Sequence, residues 1–147
     1  MFLVDTDVIS ETAPTKVAAR ERVTAWLARQ GDRLFLSTVT VAELQRGVSF
    51  LVGMGHNRQG ALLAGWADGL LERFSDRILP VDSAVGRRAG ELFGGAEARG
   101  HLPSLADACI AATADLNGFV VVTFNASHFR MLRVAHRLPS EPEDGDR

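Results

Sequence analysis

Short apolar runs alternate along the chain with segments in which apolar residues recur at helical spacing. Runs that are uniformly apolar are typical of strands buried on both faces of a parallel sheet. They predict strands at Phe2–Val4, Leu34–Leu36, Ile78–Val81 and Phe119–Val122, and a weaker fifth near Leu132–Val134. The helical spacing predicts helices through Val23–Leu27, Val41–Leu51, Leu62–Phe74, Val85–Phe93 and Ala108–Leu116.

Strands that alternate with helices indicate a three-layer α/β/α fold with a mostly parallel sheet. Right-handed crossovers place helices on both faces of such a sheet. We predict the strand order 3-2-1-4-5, in which strand 1 lies between strands 2 and 4. This order would bring the residues that follow strands 1 and 4 side by side.

Length and charge indicate one domain with an acidic end. The chain has 147 residues, which is the size of a single ordinary domain. Residues 139–147 hold four acids and one base, whereas residues 1–138 hold 15 bases and 14 acids. We therefore expect the domain to span 1–138 and the acidic tail, 139–147, to be disordered.

Composition also excludes several classes of protein. A content of 46% hydrophobic and 23% charged residues excludes a disordered chain. No apolar run is long enough to cross a bilayer, which excludes a membrane-spanning one. The single cysteine, Cys109, excludes an internal disulfide framework and a multi-cysteine zinc site. The start MFLVD lacks the basic and long apolar regions of a secretory signal. We expect a cytoplasmic protein.

Polar side chains follow the predicted strands at the edge where chemistry occurs in parallel sheets. Asp5 and Asp7 follow strand 1, Glu43 lies at the start of the helix after strand 2, and Asn125 follows strand 4. Asp107 opens the alanine-rich helix that leads back to strand 4. Clustered carboxylates repel unless a cation neutralises them, and an all-oxygen ligand set suits Mg²⁺ or Mn²⁺. Hydrolysis of a phosphodiester is the natural reaction for such a site.

Most of these residues also have a purely local interpretation. Thr40 to Glu43 has the spacing of a helix capping box, and Ser104 to Asp107 has the same form. Asp7 reads as a local cap for the short segment that follows it, and Asn125 alone would be a turn former. An acid directly after a buried strand has no helical donor guaranteed to it. Asp5 is therefore the strongest functional candidate, and spacing alone leaves the metal site open.

Four sequence blocks resemble those of the PIN-domain ribonucleases. They are FLVDTDVIS, VAELQRG, LPSLADACIAATA and VVVTFNASHF, in the family's order and together reaching from residue 2 to residue 129. They look most like VapC-type toxins of bacterial toxin–antitoxin pairs, including FitB-like members. The resemblance implies a PIN-like fold, RNA cleavage dependent on Mg²⁺ or Mn²⁺, and a cognate antitoxin.

The resemblance also assigns roles to residues of this chain. It implies that Asp5 and Asp107 hold the metal, that Glu43 binds it or positions the attacking water, and that Asn125 orients these ligands. By the same resemblance all four belong to the catalytic site. We expect Thr6 or Thr123 to hydrogen-bond to the carboxylates.

Two positions depart from the family pattern. Asp7 stands where an Asn is usual, and His128 precedes Phe129 where an Asp is frequent. The last block therefore supplies no carboxylate, which favours one resident metal with a second ion arriving with the RNA. His128 is predicted to be a surface or capping histidine, with phosphate contact as the alternative. Arg46, one turn after Glu43, would either steady a phosphate or remain a solvated helix residue.

Two rival functions remain for comparison. The strand followed by Asp5-Thr6-Asp7 also fits the opening of haloacid-dehalogenase-type phosphatases, but these need a downstream lysine and the only lysine here is Lys16. The second rival is a non-catalytic PIN-like module that binds RNA or a partner through a partly decayed site. RNA cleavage with and without EDTA separates that module from a nuclease.

The helix that ends at Phe50–Val52 and the segment through Met54 carry more apolar residues than one buried stripe requires. Surplus apolar surface of this kind is usually covered by a partner. We predict a homodimer with a groove near residues 44–70, in which, by resemblance, an antitoxin helix would lie. The alternative is that these residues belong to the core.

Overall fold

The structure is a computed structural model and describes residues 1–16, 18 and 20–139. Apart from Pro139, the acidic tail predicted for 139–147 lies outside the described residues. The strands are β1 Phe2–Val4, β2 Leu34–Ser37, β3 Ile78–Leu79, β4 Val120–Val122 and β5 His136–Arg137. The helices are α1 Thr6–Ile9, α2 Glu21–Gln30, α3 Thr38–Gly53, α4 Asn57–Arg73, α5 Ser83–Ala98, α6 Leu105–Asn117 and α7 Ala126–Met131.

The five strands form one sheet in the order β3-β2-β1-β4-β5. Every neighbouring pair is parallel, with Phe2 opposite Leu34 on one side of β1 and opposite Val120 on the other. The predicted α/β/α fold and strand order are therefore confirmed. Because β1 is central, the residue after it, Asp5, lies beside the residues that follow β4.

The fifth strand was placed wrongly by the sequence pattern. Leu132 and Val134 are buried in the core next to α7, and the strand follows them at His136–Arg137. These two positions are apolar because they are buried in the core after α7. A two-residue edge strand carries no such run, so the pattern pointed a few residues too early.

Alternate side chains of the strands serve two separate cores. Phe2 and Val4 face a core built with helices α1 to α4, whereas Leu3 between them faces a core built with α5 to α7. Val122 and Val121 of β4 divide in the same way. This period of two explains why the strands are apolar at every position, since both faces of the sheet are covered.

Several predicted helix ends are confirmed. Asp82 caps α5 by accepting from the Val85 amide at 2.9 Å. Gly118 ends α6 with a φ of 66°, a left-handed conformation that glycine adopts without the steric cost of a Cβ. Gly31 follows the last residue of α2. Asp82 thus marks where α5 begins, and the two glycines mark where α2 and α6 end.

Helices α3 and α4 leave apolar side chains in solvent. Leu44 and Val48 of α3 are buried, but Phe50, Met54 and Leu62 are 65%, 61% and 50% exposed. The alternative that the apolar residues at the end of α3 belong to the core is therefore wrong for Phe50 and Met54. The surplus that the sequence indicated is therefore a surface feature. In the described part of the chain, no helix is both long and apolar enough to cross a membrane.

Candidate metal centre

Asp5 lies at the carboxyl end of the central strand and begins α1. Its Oδ1 accepts from the Thr6 amide at 2.8 Å, and its Oδ2 accepts from the Thr123 hydroxyl at 2.8 Å. The first bond makes Asp5 the N-cap of α1, and the second ties it to the end of β4. Asp5 is thus held from both sides by groups that the adjacency of β1 and β4 brings together, as predicted for Thr123.

The surroundings of Asp5 disfavour its charge. The residue is only 6% exposed, and its pKa is raised to about 7. Burial is the largest cause, followed by the negative charge of Asp7, while the bonds from Thr123 and Thr6 act in the opposite direction. A carboxyl group with this pKa is partly protonated near neutral pH. A bound cation would stabilise its charged form.

Asp7 belongs to this cluster, and its prediction as a local cap was wrong. Asp5 caps α1, and the Asp7 side chain turns instead to the chain after β4. Its Oδ2 accepts from the Phe124 amide and from Asn125 Nδ2, both at 3.1 Å. Its Oδ1 is buried with no hydrogen-bond partner. Burial is also the largest cause of the raised pKa of Asp7.

The signal that could have found Asp7 was its place in the first sequence block. It lies at a polar position of that block, two residues after Asp5. Spacing alone could not show that a side chain of a short helix reaches across to a strand more than 100 residues later. That contact depends on the pairing of β1 with β4.

Glu43 is a member of the same sheet edge. The Thr6 hydroxyl donates to Glu43 Oε1 at 3.1 Å and lies 3.0 Å from the Thr40 hydroxyl. The capping box predicted from Thr40 to Glu43 was wrong, because Ser37 caps α3 through the Val39 amide and Thr40 is buried inside the helix. Glu43 lies in the second turn of α3 and is free of a capping role.

Asp107 combines a local and a tertiary contact. The predicted cap at Ser104 is confirmed, because its hydroxyl accepts from the Asp107 amide at 3.0 Å. The Asp107 carboxylate does not complete a capping box but lies 2.9 Å from His128 Nδ1. Its negative charge contributes to the raised pKa values of Asp5 and Asp7. The three aspartates therefore act on one another electrostatically.

His128 and Asn125 each contact one of the acids. His128 lies on α7 with its side chain 46% exposed and bonded to Asp107, so it is a surface histidine with a defined partner. The Asn125 side chain donates to Asp7 rather than to Asp5 or Asp107. Arg46 is exposed on α3, one turn beyond Glu43.

The donor set of this edge fits a hard divalent cation. Within the described residues, no three acidic, histidine or cysteine side chains stand close enough to hold a metal ion by themselves. Mg²⁺ commonly binds through one or two carboxylates and completes its shell with water and substrate phosphates. A buried aspartate beside a half-buried one, whose Oδ1 has no hydrogen-bond donor, matches that mode of binding. A cation would also remove the charge repulsion within the pair.

Comparison with known proteins gives the family. The chain matches the PIN domain family over residues 2–135. It is 38% identical to the plasmid stability protein StbB of Pseudomonas syringae pv. tomato, over 88% of this chain and 91% of that protein. The chain belongs to the PIN-domain family, as the four sequence blocks indicated.

Within the family, the similarity extends to proteins named as toxins and ribonucleases. The chain is 35% identical to toxin FitB of Neisseria gonorrhoeae, over 92% of this chain and 95% of FitB. It is 34% identical to the VapC ribonuclease Y4jK of Sinorhizobium fredii, over 97% of this chain and 99% of that protein.

Solved structures agree with this placement. The FitAcB structure from Neisseria gonorrhoeae superposes with a TM-score of 0.86 at 34% identity, covering 97% of this chain and all of the matched one. A toxin–antitoxin complex from Klebsiella pneumoniae shares the fold, with a TM-score of 0.67 at 20% identity over 97% of this chain and 100% of that chain.

Proposed function

We propose that this protein is a metal-dependent endoribonuclease and the toxin of a toxin–antitoxin pair. One observation carries the proposal: Asp5 is buried beside Asp7 with a pKa raised to about 7, on the edge that also holds Glu43 and Asp107. Relatives that are 34–35% identical over nearly their whole length are named as a toxin and as a ribonuclease, which supports the same activity.

We propose that Asp5 and Asp107 bind one Mg²⁺ or Mn²⁺ ion, with Asp7 as a further oxygen donor. When bound, the ion would stabilise negative charge on the phosphate and lower the pKa of a coordinated water. Glu43 then orients the attacking water, and Asn125 supports the ligand set by holding Asp7. A second ion arriving with the RNA is consistent with an open coordination shell.

The hydrogen bonds around the acids keep them in these roles. Thr123 and the Thr6 amide fix both oxygens of Asp5, so its carboxylate cannot rotate away. The Thr6 hydroxyl holds Glu43, and His128 holds Asp107. Such supporting bonds orient ligands and are required for full metal affinity. Truncation of the neutral Thr123 or Thr6 side chain should therefore loosen the site without changing its net charge.

Cleavage of a fluorescent single-stranded RNA, with EDTA, Mg²⁺ or Mn²⁺, tests the proposal. Glu43→Gln is an informative variant because Gln keeps an oxygen acceptor for Thr6 and Glu43 caps no helix. Glu72→Gln is its matched control, since Glu72 is exposed on α4. We expect wild type and Glu72→Gln to cleave only with metal and Glu43→Gln to lose most of the activity.

Two results would contradict the proposal. Equal cleavage in EDTA would exclude metal dependence. RNA binding without cleavage in either metal would instead select the non-catalytic PIN-like module. Comparison of the two metals also decides between Mg²⁺ and Mn²⁺.

We also propose a homodimer with a cognate antitoxin bound to it. The exposed apolar residues Phe50, Met54 and Leu62 lie within the predicted groove at 44–70 and supply a surface for a second copy and an amphipathic helix. Structural neighbours that are toxin–antitoxin complexes support the antitoxin. We place the protein in the cytoplasm, where its RNA substrate would be found.

A further inference from the structure

A pocket lies beside the acidic cluster and has a different chemistry. Its volume is about 600 Å³, and Val23, Phe124 and Leu138 line it together with Arg20, Glu21 and Arg22. Pockets of roughly 300–1,000 Å³ accommodate small organic groups. This one offers an apolar floor with two cations and one anion at the rim, which is unlike the all-acid edge next to it.

The pocket is joined directly to the acidic cluster through the chain after β4. The Phe124 amide donates to Asp7 Oδ2 at 3.1 Å, and Phe124 also lines the pocket. Asn125, the next residue, also binds Asp7. A strand of RNA with its phosphate at the acids would therefore place a neighbouring nucleotide at this ring.

Arg20 covers the ring, and its backbone is anchored to the buried side chain of Glu11. Its guanidinium carbon lies 4.1 Å from the centroid of the Phe124 ring, in a cation–π contact. The Arg20 amide donates to Glu11 at 2.9 Å, and Glu11, only 2% exposed, pairs with Lys16 at 2.8 Å. The hydrogen bond from Lys16 is the main reason why the pKa of Glu11 is lowered. The backbone that carries Arg20 is thus fixed at the pocket rim.

We infer that this pocket binds the nucleotide next to the scissile phosphodiester of a single-stranded RNA. The base would stack on the Phe124 ring or on the flat Arg20 guanidinium that covers it, which are the surfaces that unpaired bases use. Arg22, exposed at the rim, would pair with the flanking phosphate. This inference rests on the proposed ribonuclease function and adds a subsite to it.

Binding and kinetics of pocket variants test the inference. The probes are a short single-stranded oligoribonucleotide and an abasic oligomer of the same length, titrated against the full chain carrying Asp5→Asn so that the RNA is not cut. The variants are Arg22→Ala and Phe124→Leu. Arg29→Ala is the matched control, because Arg29 is exposed at the other end of α2.

The two contacts predict different losses. Phe124→Leu should weaken binding of the normal oligomer by about tenfold, the size expected for one lost stack, and leave the abasic oligomer unaffected. Arg22→Ala should weaken both oligomers and reduce the slope of log affinity against log salt by about 0.7, as expected for one phosphate contact. In the otherwise wild-type enzyme, both variants should raise KM with little change in kcat.

Other outcomes separate this inference from the proposed function. If both variants match Arg29→Ala in affinity and KM while wild type still cleaves, the subsite is wrong and the nuclease stands; a protein ligand then becomes the better occupant. If Phe124→Leu weakens both oligomers equally, base stacking is excluded. If wild type binds RNA through the pocket but never cleaves it, the nuclease is wrong and the subsite stands. Absence of any RNA binding overturns both.

Discussion

At the residue scale, burial sets the behaviour of Asp5. Its pKa is raised from 3.8 to about 7, so in this pH window the folded chain binds one more proton at Asp5 than the unfolded chain does. Raising the pH through the window therefore lowers the free energy of unfolding. The cost of the charged form is on the order of a few kcal/mol for a shift of this size.

Asp5→Asn should reduce this pH dependence and leave the smaller contribution of Asp7, whose pKa is also raised by burial. In EDTA, we expect the variant to be at least as stable as wild type, with an advantage that grows from about pH 4 to about pH 7. Urea unfolding of both proteins across this range measures the difference. The opposing contribution of Glu11, whose pKa is lowered, is present in both proteins and cancels. The control variant is Asp68→Asn, since Asp68 is exposed. Its stability relative to wild type should not change with pH.

An unfolding temperature of Asp5→Asn far below that of wild type in EDTA would contradict the expected stability of the variant. It would make the bonds from Thr6 and Thr123 the main role of Asp5, a structural one. Added Mn²⁺ gives a second readout. It should stabilise wild type in proportion to its binding and affect the variant far less.

The same scale shows what the sequence can and cannot reveal about a site. Asp5 was predictable because an acid directly after a buried strand has few local roles. The bonds from Asp7 to Phe124 and from Asp107 to His128 were not, because each joins elements that only the fold brings together. For Glu43, spacing suggested a cap at Thr40, but the helix begins earlier, at Thr38, and Ser37 is its cap.

At the element scale, the cap at Ser104 supports the helix that carries Asp107. Ser104→Ala leaves the Asp107 amide without its acceptor and should lower the free energy of unfolding by about 1 kcal/mol. Ser104→Thr retains a hydroxyl and should stay close to wild type. Urea unfolding of the two variants in EDTA measures the cap, and equal losses in both would show that the hydroxyl contributes nothing.

Elements with strong periodicity were predicted well, and short ones were not. The apolar repeat of α3 and the caps of α5 and α6 have local causes, so the sequence contains them. Helix α7 has six residues and buries only Phe129, and β5 has two residues with no apolar run. Tertiary contacts define such elements, so periodicity could not locate them.

At the scale of the whole molecule, alternation of strands and helices was enough to predict the layers, and the predicted sheet order is also the observed one. The association of copies of the chain is a separate matter. We expect it to involve the exposed apolar surface of α3. Phe50→Asp places a charge on a residue that is 65% exposed, so it should leave the fold intact and break the proposed dimer.

Light scattering on the purified chain measures that effect. Leu116→Asp is the control, since Leu116 is 51% exposed on α6, outside the predicted groove. We expect a dimer for wild type and Leu116→Asp and a monomer for Phe50→Asp. A wild-type chain that is monomeric at micromolar concentration, with and without a co-expressed partner, would contradict the dimer.

The most direct test of the central claim is metal-dependent RNA cleavage by wild type and Asp5→Asn, compared at equal protein concentration. We expect wild type to cleave single-stranded RNA with Mg²⁺ or Mn²⁺ and not with EDTA. We expect Asp5→Asn, although folded, not to cleave under any of these conditions. Cleavage by folded Asp5→Asn with metal present would contradict the assignment of this sheet edge as the catalytic metal centre.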